Sequence, residues 1–270
     1  MSFCLRDFTR STSEVLMKFS VLTLFPKQVK DFLSESIIGR AEEKGIVSIE
    51  TVDIRDFSGN RYGKVDDTLF GGGTGMLMQC EPVYQAFSSL YDSEKEPKPH
   101  CVFMSPKGSV LNQEKAKELS KYEHLVILCG HYEGIDQRVL DEIVDEDLSI
   151  GDYVLTGGEV AACVVIDCVS RMIEGVLPNS EAYEEESHMS GYLEAPQFTK
   201  PNIWHDRKVP EVMLSGNHAK IKEWKRIHGL YDTWKRRPDM LSKLDISSED
   251  WKKILEIEKE QQEDQQGETK

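Results

Sequence analysis

The sequence contains no long run of apolar residues. None of its uninterrupted apolar stretches approaches the roughly 18 residues that are needed to cross a membrane. Charged residues interrupt the N-terminal segment, where a secretion signal needs its apolar part. These absences argue against a membrane-bound or exported protein, so we expect it in the cytoplasm. The composition, 39% hydrophobic and 30% charged over 270 residues, is typical of a globular protein.

Cysteine is sparse, and no two cysteines form a CxxC pair. Of the six cysteines, four lie in the apolar runs HCVFM, VILCG and AACVVIDCV. Such surroundings are typical of buried, reduced thiols and argue against a disulfide framework. No HExxH motif and no paired Cys/His ligands occur either. We therefore expect no metal site.

The standard phosphate-binding motifs are missing as well. The nearest run, GGGTG at 71–75, is followed by Met76, which breaks the GxGxxG spacing, and no GxxxxGK[ST] run occurs. A nicotinamide-dependent dehydrogenase is therefore disfavoured. A GxSxG turn is also absent, which weakens a hydrolase interpretation.

The formal net charge of −15 argues against a nucleic-acid partner only until its distribution is considered. Residues 197–243 carry 11 Lys and Arg against 5 Asp and Glu, a local charge of +6, whereas residues 244–270 carry 4 against 9, a local charge of −5. The basic segment also contains Trp204, Trp224, Tyr231 and Trp234. Cations interleaved with aromatic rings suit an RNA backbone with splayed bases.

Short apolar strands alternate with helical patterns through the first two thirds of the chain. This order predicts an α/β fold whose parallel sheet is covered on both faces. We predict strands at 18–25, 47–54, 100–104 and 125–129, and helices at 26–44, 81–91, 113–121, 136–144, 159–173, 218–228 and 248–262. The predicted organisation is an N-terminal extension (1–16), an α/β domain (17–177), a flexible linker (178–196), a small helical domain (197–262) and a tail (263–270).

Three glycine-bearing loops follow predicted strands or precede a helix. They are SPKG at 105–108, CGHYEGID at 129–136 and SIGDYVLTGGE at 149–159. In a parallel sheet, ligands bind beyond the carboxyl ends of the strands, and glycine lets the backbone approach them closely. Because such loops are also common without a ligand, the spacing alone leaves both interpretations open.

The runs GGGTGMLM, SPKG, LCGHYEGIDQRV, SIGDYVLTGGE and LSGNHAKIKEW resemble those of the bacterial tRNA (guanine-N1)-methyltransferases, the TrmD family. The similarity runs in order from about Met17 to Gln262. It implies membership of the SPOUT class, with a deep trefoil knot in the parallel-sheet domain, a homodimer, and transfer of a methyl group from S-adenosylmethionine to the guanine at position 37 of tRNA, 3′ of the anticodon.

The resemblance also implies which residues form the sites. Asp66, Gly71 and Gly75 match the part that holds the target guanine. Arg171 matches the arginine that acts at its O6, and Glu186 stands where relatives have the aspartate that takes the N1 proton, with Glu185 beside it as the other candidate. The residues implied to bind S-adenosylmethionine are Met104, Ser105, Pro106, Gly130, Tyr132, Glu133, Ile150, Gly151, Asp152, Tyr153, Val154, Leu155, Gly157 and Gly158.

Two other functions remain open at this point. A SPOUT ribose 2′-O-methyltransferase belongs to the same class but is expected to lack the GGGTGMLM run and the linker carboxylate. A nucleotide-binding regulatory protein would bind a ligand in the same loops without turnover.

Overall fold

The computed structural model describes residues 17–72, 74–177 and 186–267. The chain divides into two compact units that separate between residues 178 and 179. The predicted N-terminal extension, Gly73, residues 178–185 of the predicted linker and residues 268–270 of the tail lie outside the described residues. Within the described ranges, no helix is long and apolar enough to span a membrane.

The first unit is built on a five-stranded sheet in which all strands are parallel. The strand order is β2-β1-β6-β5-β7, so β6 and β5 lie side by side near the middle. The predicted α/β class with a parallel sheet is confirmed. The strands are β1 (Met17–Thr23), β2 (Val47–Asp53), β5 (His100–Val110), β6 (His124–Cys129) and β7 (Glu146–Ser149).

Helices cover both faces of this sheet because successive side chains of a strand point to opposite sides. Phe19 and Val21 of β1 belong to one hydrophobic cluster, with α1, α2, α4 and α6, whereas Leu22 belongs to the other, with α3 and α5. The helices are α1 (Pro26–Leu33), α2 (Ser36–Glu43), α3 (Cys80–Ser88), α4 (Gln113–Leu119), α5 (Gln137–Ile143) and α6 (Glu159–Ser170), and a 3-10 turn covers Ile54–Phe57.

The sheet and its helices differ from the predicted elements most clearly at three points. The single helix predicted at 26–44 is broken between α1 and α2, where Ser36 has φ of 60°, outside the helical region. The SPKG run is not a free loop, since β5 continues through it with a register shift between Met104 and Ser109. Strand β7 was not predicted, because EDLS is short and mostly polar.

A small antiparallel hairpin carries the glycine-rich run at its turn. It consists of β3 (Asp66–Thr68) and β4 (Met76–Met78). Strand β4 is held by the loop that follows β6: Glu133 N donates to Met76 O, Met78 N to Gly134 O, and Asp136 N to Met78 O, each at 3.0 Å. The hairpin is therefore bonded directly to one of the predicted ligand loops.

The second unit is helical, with a small core around Ile227, Leu230, Tyr231 and Ile254. The end of the predicted linker packs on this unit, since Leu193 N donates to Thr233 Oγ1 at 2.8 Å. The helices predicted at 218–228 and 248–262 both extend further. The elements are β8 (Ile203–Trp204), β9 (Arg207–Lys208), α7 (Glu211–Leu214), α8 (His218–Arg236), α9 (Pro238–Leu241) and α10 (Ser248–Gly267), so α10 continues into the predicted tail.

Candidate functional site

The three predicted loops meet at the carboxyl ends of the neighbouring strands β6, β5 and β7. They enclose a cavity of about 300 Å³. All the residues predicted to bind the cofactor line it except Gly151 and Asp152, which lie in the same loop as their lining neighbours. The lining comprises Phe103, Met104, Ser105, Pro106, Gly130, His131, Tyr132, Glu133, Gly134, Leu148, Ser149, Ile150, Tyr153, Val154, Leu155, Thr156, Gly157, Gly158 and Ala161.

The floor of this cavity depends on a close approach between α6 and β6. Gly158 precedes the first residue of α6, and a Cβ atom there would lie 2.8 Å from Cys129 Cα and 3.3 Å from Gly130 N. These are backbone atoms, which have no side-chain freedom to move away. Only glycine fits this position without displacing one of the two elements.

Two tyrosines stand at the mouth of the cavity. Tyr153 donates a hydrogen bond from its hydroxyl to Ile150 O at 3.0 Å, which folds the loop after β7 back on itself. Tyr132 has φ of 58°, a conformation that non-glycine residues rarely adopt and that is often found at functional sites. Tyr153 is 55% exposed and Tyr132 is 51% exposed, so their rings can offer apolar faces to a flat ligand.

A buried carboxylate lies behind the wall of the cavity. Glu159, the first residue of α6, is 3% exposed, and its Oε1 accepts a hydrogen bond from Thr23 Oγ1 at 2.7 Å. Its Oε2 lies 3.4 Å from Nε2 of His131. The sequence did not single out this arrangement: Thr23 is 136 positions away in the chain.

The cysteine thiols near the cavity are unreactive at neutral pH. Burial raises the pKa of Cys163 to about 11, and burial together with the charge of Glu159 raises that of Cys129 well above its usual range. Both stay protonated at neutral pH and are poor nucleophiles. All the cysteines in the described part of the chain are free. Within the same residues, no group of three or more His, Cys, Asp or Glu side chains is arranged to hold a metal ion.

The turn that contains the predicted guanine-binding glycines lies against Glu133, a residue of the cavity wall. Asp66 begins β3, and Gly71 and Gly75 lie in the turn of the hairpin. Gly75 has φ of 114°, and a Cβ atom there would lie 2.5 Å from Cγ of Glu133. Since Glu133 also lines the cavity, the hairpin turn and the cavity share a wall.

The two predicted catalytic residues belong to different units. Arg171 is the C-cap of α6 in the first unit. Glu186 lies at the start of the described part of the second unit, where its carbonyl accepts a hydrogen bond from Met189 N at 3.2 Å. Glu185, the other candidate for the base, lies outside the described residues. The roles of Arg171 and Glu186 remain predictions.

The second unit carries a basic, partly aromatic surface. A polar cavity of about 570 Å³ lies along α8 and is lined in part by Lys222, Lys225 and Arg226. The hairpin of β8 and β9 presents Trp204, which is 59% exposed, next to Arg207. This surface offers cations and an exposed indole, as the local charge of the sequence predicted.

The fold is that of an α/β protein with a cavity where adjacent parallel strands end, the position at which such sheets bind their ligands. The family model for tRNA (guanine-1)-methyltransferase TrmD matches residues 17–243. A tRNA (guanine-N(1)-)-methyltransferase of Ruminiclostridium cellulolyticum is 54% identical over 228 residues, which is 84% of this chain and 97% of the relative. Proteins of the same name from Dehalococcoides mccartyi and Clostridioides difficile are 47% identical over 241 residues (89% and 97% of the two chains) and 48% over 227 (84% and 98%). The chain belongs to this TrmD family, and the resemblance predicted from its motifs is confirmed.

Proposed function

We propose that this protein transfers the methyl group of S-adenosylmethionine to N1 of the guanine at position 37 of tRNA, 3′ of the anticodon. The observation that carries the proposal is the cavity at the ends of β5, β6 and β7, because the loops that form it contain the family's most specific motifs. The names of the relatives support a tRNA guanine as the methyl acceptor. Such an enzyme works in the cytoplasm, where tRNA is modified.

The cavity suits S-adenosylmethionine by its chemistry. Its lining in the described residues includes neither Lys nor Arg, which fits a cofactor that carries no phosphate. Gly130 and Gly157 have no side chain, so the edge of an adenine ring can approach the backbone closely there. Tyr132 and Tyr153 offer ring faces at the mouth. When bound, the cofactor supplies a methyl group attached to a positively charged sulfur.

The protein's own groups must then remove one proton from the guanine and stabilise the negative charge that develops on it. Methylation at N1 requires the N1 proton to leave, and we assign its removal to the carboxylate of Glu186. As that proton leaves, negative charge develops on O6 of the guanine. We assign its stabilisation to the guanidinium of Arg171.

We assign tRNA binding to the second unit. Residues 197–243 carry the excess of 6 positive charges in an otherwise acidic chain, and α8 presents Lys225 and Arg226 beside a polar cavity. Trp204 in the exposed hairpin is available to stack on an unpaired base. Affinity for tRNA should therefore fall steeply as the salt concentration rises.

Two further features of the fold belong to the proposal. We infer the deep trefoil knot from membership of the TrmD family. The homodimer is supported by apolar residues that remain exposed in the single chain, such as Val154 of the cavity lining at 81% and Val160 of α6 at 51%.

The experiment that tests the proposed function is mass mapping of tRNA after incubation with the protein and S-adenosylmethionine. We expect one additional methyl group on the base of guanine 37. A methyl group on a ribose 2′-oxygen would instead identify the ribose methyltransferase alternative. Binding without methyl transfer to any tRNA would contradict the proposed activity.

A further inference from the structure

The second unit contains an apolar pocket to which the assignments above give no role. Its volume is about 450 Å³, which is within the usual range of ligand sites. The apolar side chains that line it include Phe198, Val209, Met213, Leu214 and Ile221. In the described part of the chain, none of these five belongs to the hydrophobic core of the unit. The pocket is therefore a feature of the surface and not a gap in the core.

The ring of Phe198 is oriented by a row of neighbouring rings. Its centroid lies 6.0 Å from that of Trp224, and the indole of Trp224 stacks on His228 with the centroids 3.8 Å apart. Burial lowers the pKa of His228, so this ring is uncharged at neutral pH. Phe198 nevertheless remains 46% exposed. A ring that is fixed by its neighbours and still exposed is a stacking platform for a flat ligand.

Positive charge lies beside this platform. The pocket adjoins the polar cavity along α8, because Gln197, Ile221 and Lys225 line both. The Lys, Arg and carboxylate side chains of the two linings are Lys200, Lys222, Lys225, Arg226 and Glu194. Arg226 is neutralised by Asp250, with Nη1 at 3.1 Å from Oδ2. Lys200 and Lys225 form no ion pair with any described residue, so their charges are available to an anion.

The hairpin of β8 and β9 starts and ends at this pocket. Asn202 precedes β8 and Val209 follows β9, both line the pocket, and Val209 N donates to Asn202 O at 2.9 Å. The side chains of Thr199 and Asn202 add a hydroxyl and an amide, which can pair with the polar edge of a base. A stacking ring, polar groups for a base edge and uncompensated cations together have the chemistry of a nucleotide site.

We propose that this pocket binds one unpaired nucleotide of the tRNA other than the target guanine, with its base on the ring of Phe198 and its phosphate against Lys200 and Lys225. This inference rests on the proposed function, since it takes tRNA as the substrate. Proteins commonly hold single-stranded RNA by aromatic stacking combined with cationic contacts. The local charge of +6 over residues 197–243 favours RNA over an apolar protein segment as the occupant.

The first test is filter binding of the whole protein to a tRNA transcript with guanine at position 37. Phe198→Ala should weaken binding by about 5- to 150-fold, the usual effect of losing one stacked base. Phe198→Tyr keeps an aromatic face and should retain the affinity, whereas Phe198→Leu keeps only apolar bulk and should lose most of it. Leu255→Ala is the matched control, because Leu255 is 48% exposed in the same unit but does not line the pocket.

Chemical probing of the bound tRNA, with reagents for each of the four bases, identifies the nucleotide. At saturating protein, one unpaired base outside position 37 should be protected by the unmodified protein and by Leu255→Ala, and should react freely in the complex with Phe198→Ala. S-adenosylhomocysteine, the demethylated product of the cofactor, should bind Phe198→Ala as tightly as the unmodified protein, because its proposed cavity lies in the first unit. Urea unfolding followed by tryptophan fluorescence checks that the second unit remains folded. Should Phe198→Ala unfold it, the comparison of Phe198→Tyr with Phe198→Leu decides.

Three results would overturn the inference. If Phe198→Leu binds tRNA like the unmodified protein, the pocket takes an apolar group and not a base. If no base outside position 37 is protected, no second nucleotide is held. If Phe198→Ala changes the oligomeric state in sedimentation and leaves tRNA affinity intact, a second copy of the chain covers the pocket. The proposed function is judged separately: methylation of guanine 37 combined with any of these results refutes the pocket alone, whereas absence of methylation by the unmodified protein refutes the function.

Discussion

Replacement of Gly158 by alanine measures how closely the ligand cavity depends on the contact between α6 and β6. The backbone of Gly158 has φ of −82°, which alanine adopts without strain, so the added methyl group is the whole perturbation. It would lie 2.8 Å from Cys129 Cα, whereas ordinary contacts begin at 3.4 Å. Either the start of α6 or the end of β6 must therefore move by about 0.6 Å, the difference between these distances.

The magnitude follows from the packing of the two elements. Forcing a methyl group into a well-packed region typically costs about 1–3 kcal/mol of unfolding free energy. For a domain of this size, that lowers the melting temperature by about 2–4 °C for each kcal/mol. The displaced residues also line the cavity, so affinity for S-adenosylhomocysteine should fall by about 10-fold or more even where the protein remains folded.

Gly59→Ala is the matched control, because a Cβ atom on Gly59 has no neighbour within 4 Å. Scanning calorimetry gives the melting temperatures of the two variants, and isothermal titration gives their affinities. If Gly158→Ala melts and binds like Gly59→Ala, the close approach of α6 to β6 does not constrain the cavity, and the reasoning fails.

Three further predictions concern the other residues of the proposed mechanism. Glu186→Gln should lower single-turnover methylation by about 100- to 10,000-fold with cofactor affinity unchanged, and Glu185→Gln should not; the reverse result would move the base by one position. Lys225→Ala should weaken tRNA binding and make the salt dependence of log K shallower by about one unit, measured by filter binding from low to high salt. A hydrogen bond from Arg226 lowers the pKa of Asp250 from its usual 3.8. The ionised carboxylate therefore adds to the free energy of unfolding above about pH 4, and this contribution is lost on further acidification. Urea unfolding followed by the fluorescence of the tryptophans, which all lie in the second unit, should show this loss, and Asp250→Asn should abolish it.

Local patterns were sufficient to predict the sheet class, whereas the residues of the cavity were predicted from the glycine-bearing loops together with the resemblance to the TrmD family. Buried parallel strands such as LVILC at 125–129 are continuous apolar runs, and the loops after them are marked by glycine. Since the carboxyl ends of β5, β6 and β7 meet at one edge, these loops had to converge there once their strands were adjacent. Local patterns and the parallel arrangement therefore predict the position of the site.

What the sequence did not predict depends on contacts between distant positions. The partnership of Thr23, His131 and Glu159 joins the ends of β1 and β6 to the start of α6, and no spacing rule connects them. The bonding of β4 to the loop after β6 was missed for the same reason. The break between α1 and α2 was missed because the left-handed conformation of Ser36 is unusual for serine.

The bonding of the β3–β4 hairpin to the loop after β6 has a consequence for inhibitors and for resistance to them. A compound that fills the cavity and extends past Glu133 reaches Gly75, because a Cβ atom on Gly75 would lie 2.5 Å from Cγ of Glu133. Substitution of Gly75 requires a φ of 114° that other residues rarely adopt, as well as displacement of Glu133. Few single substitutions of Gly75 would therefore abolish binding of such a compound and still leave a folded hairpin.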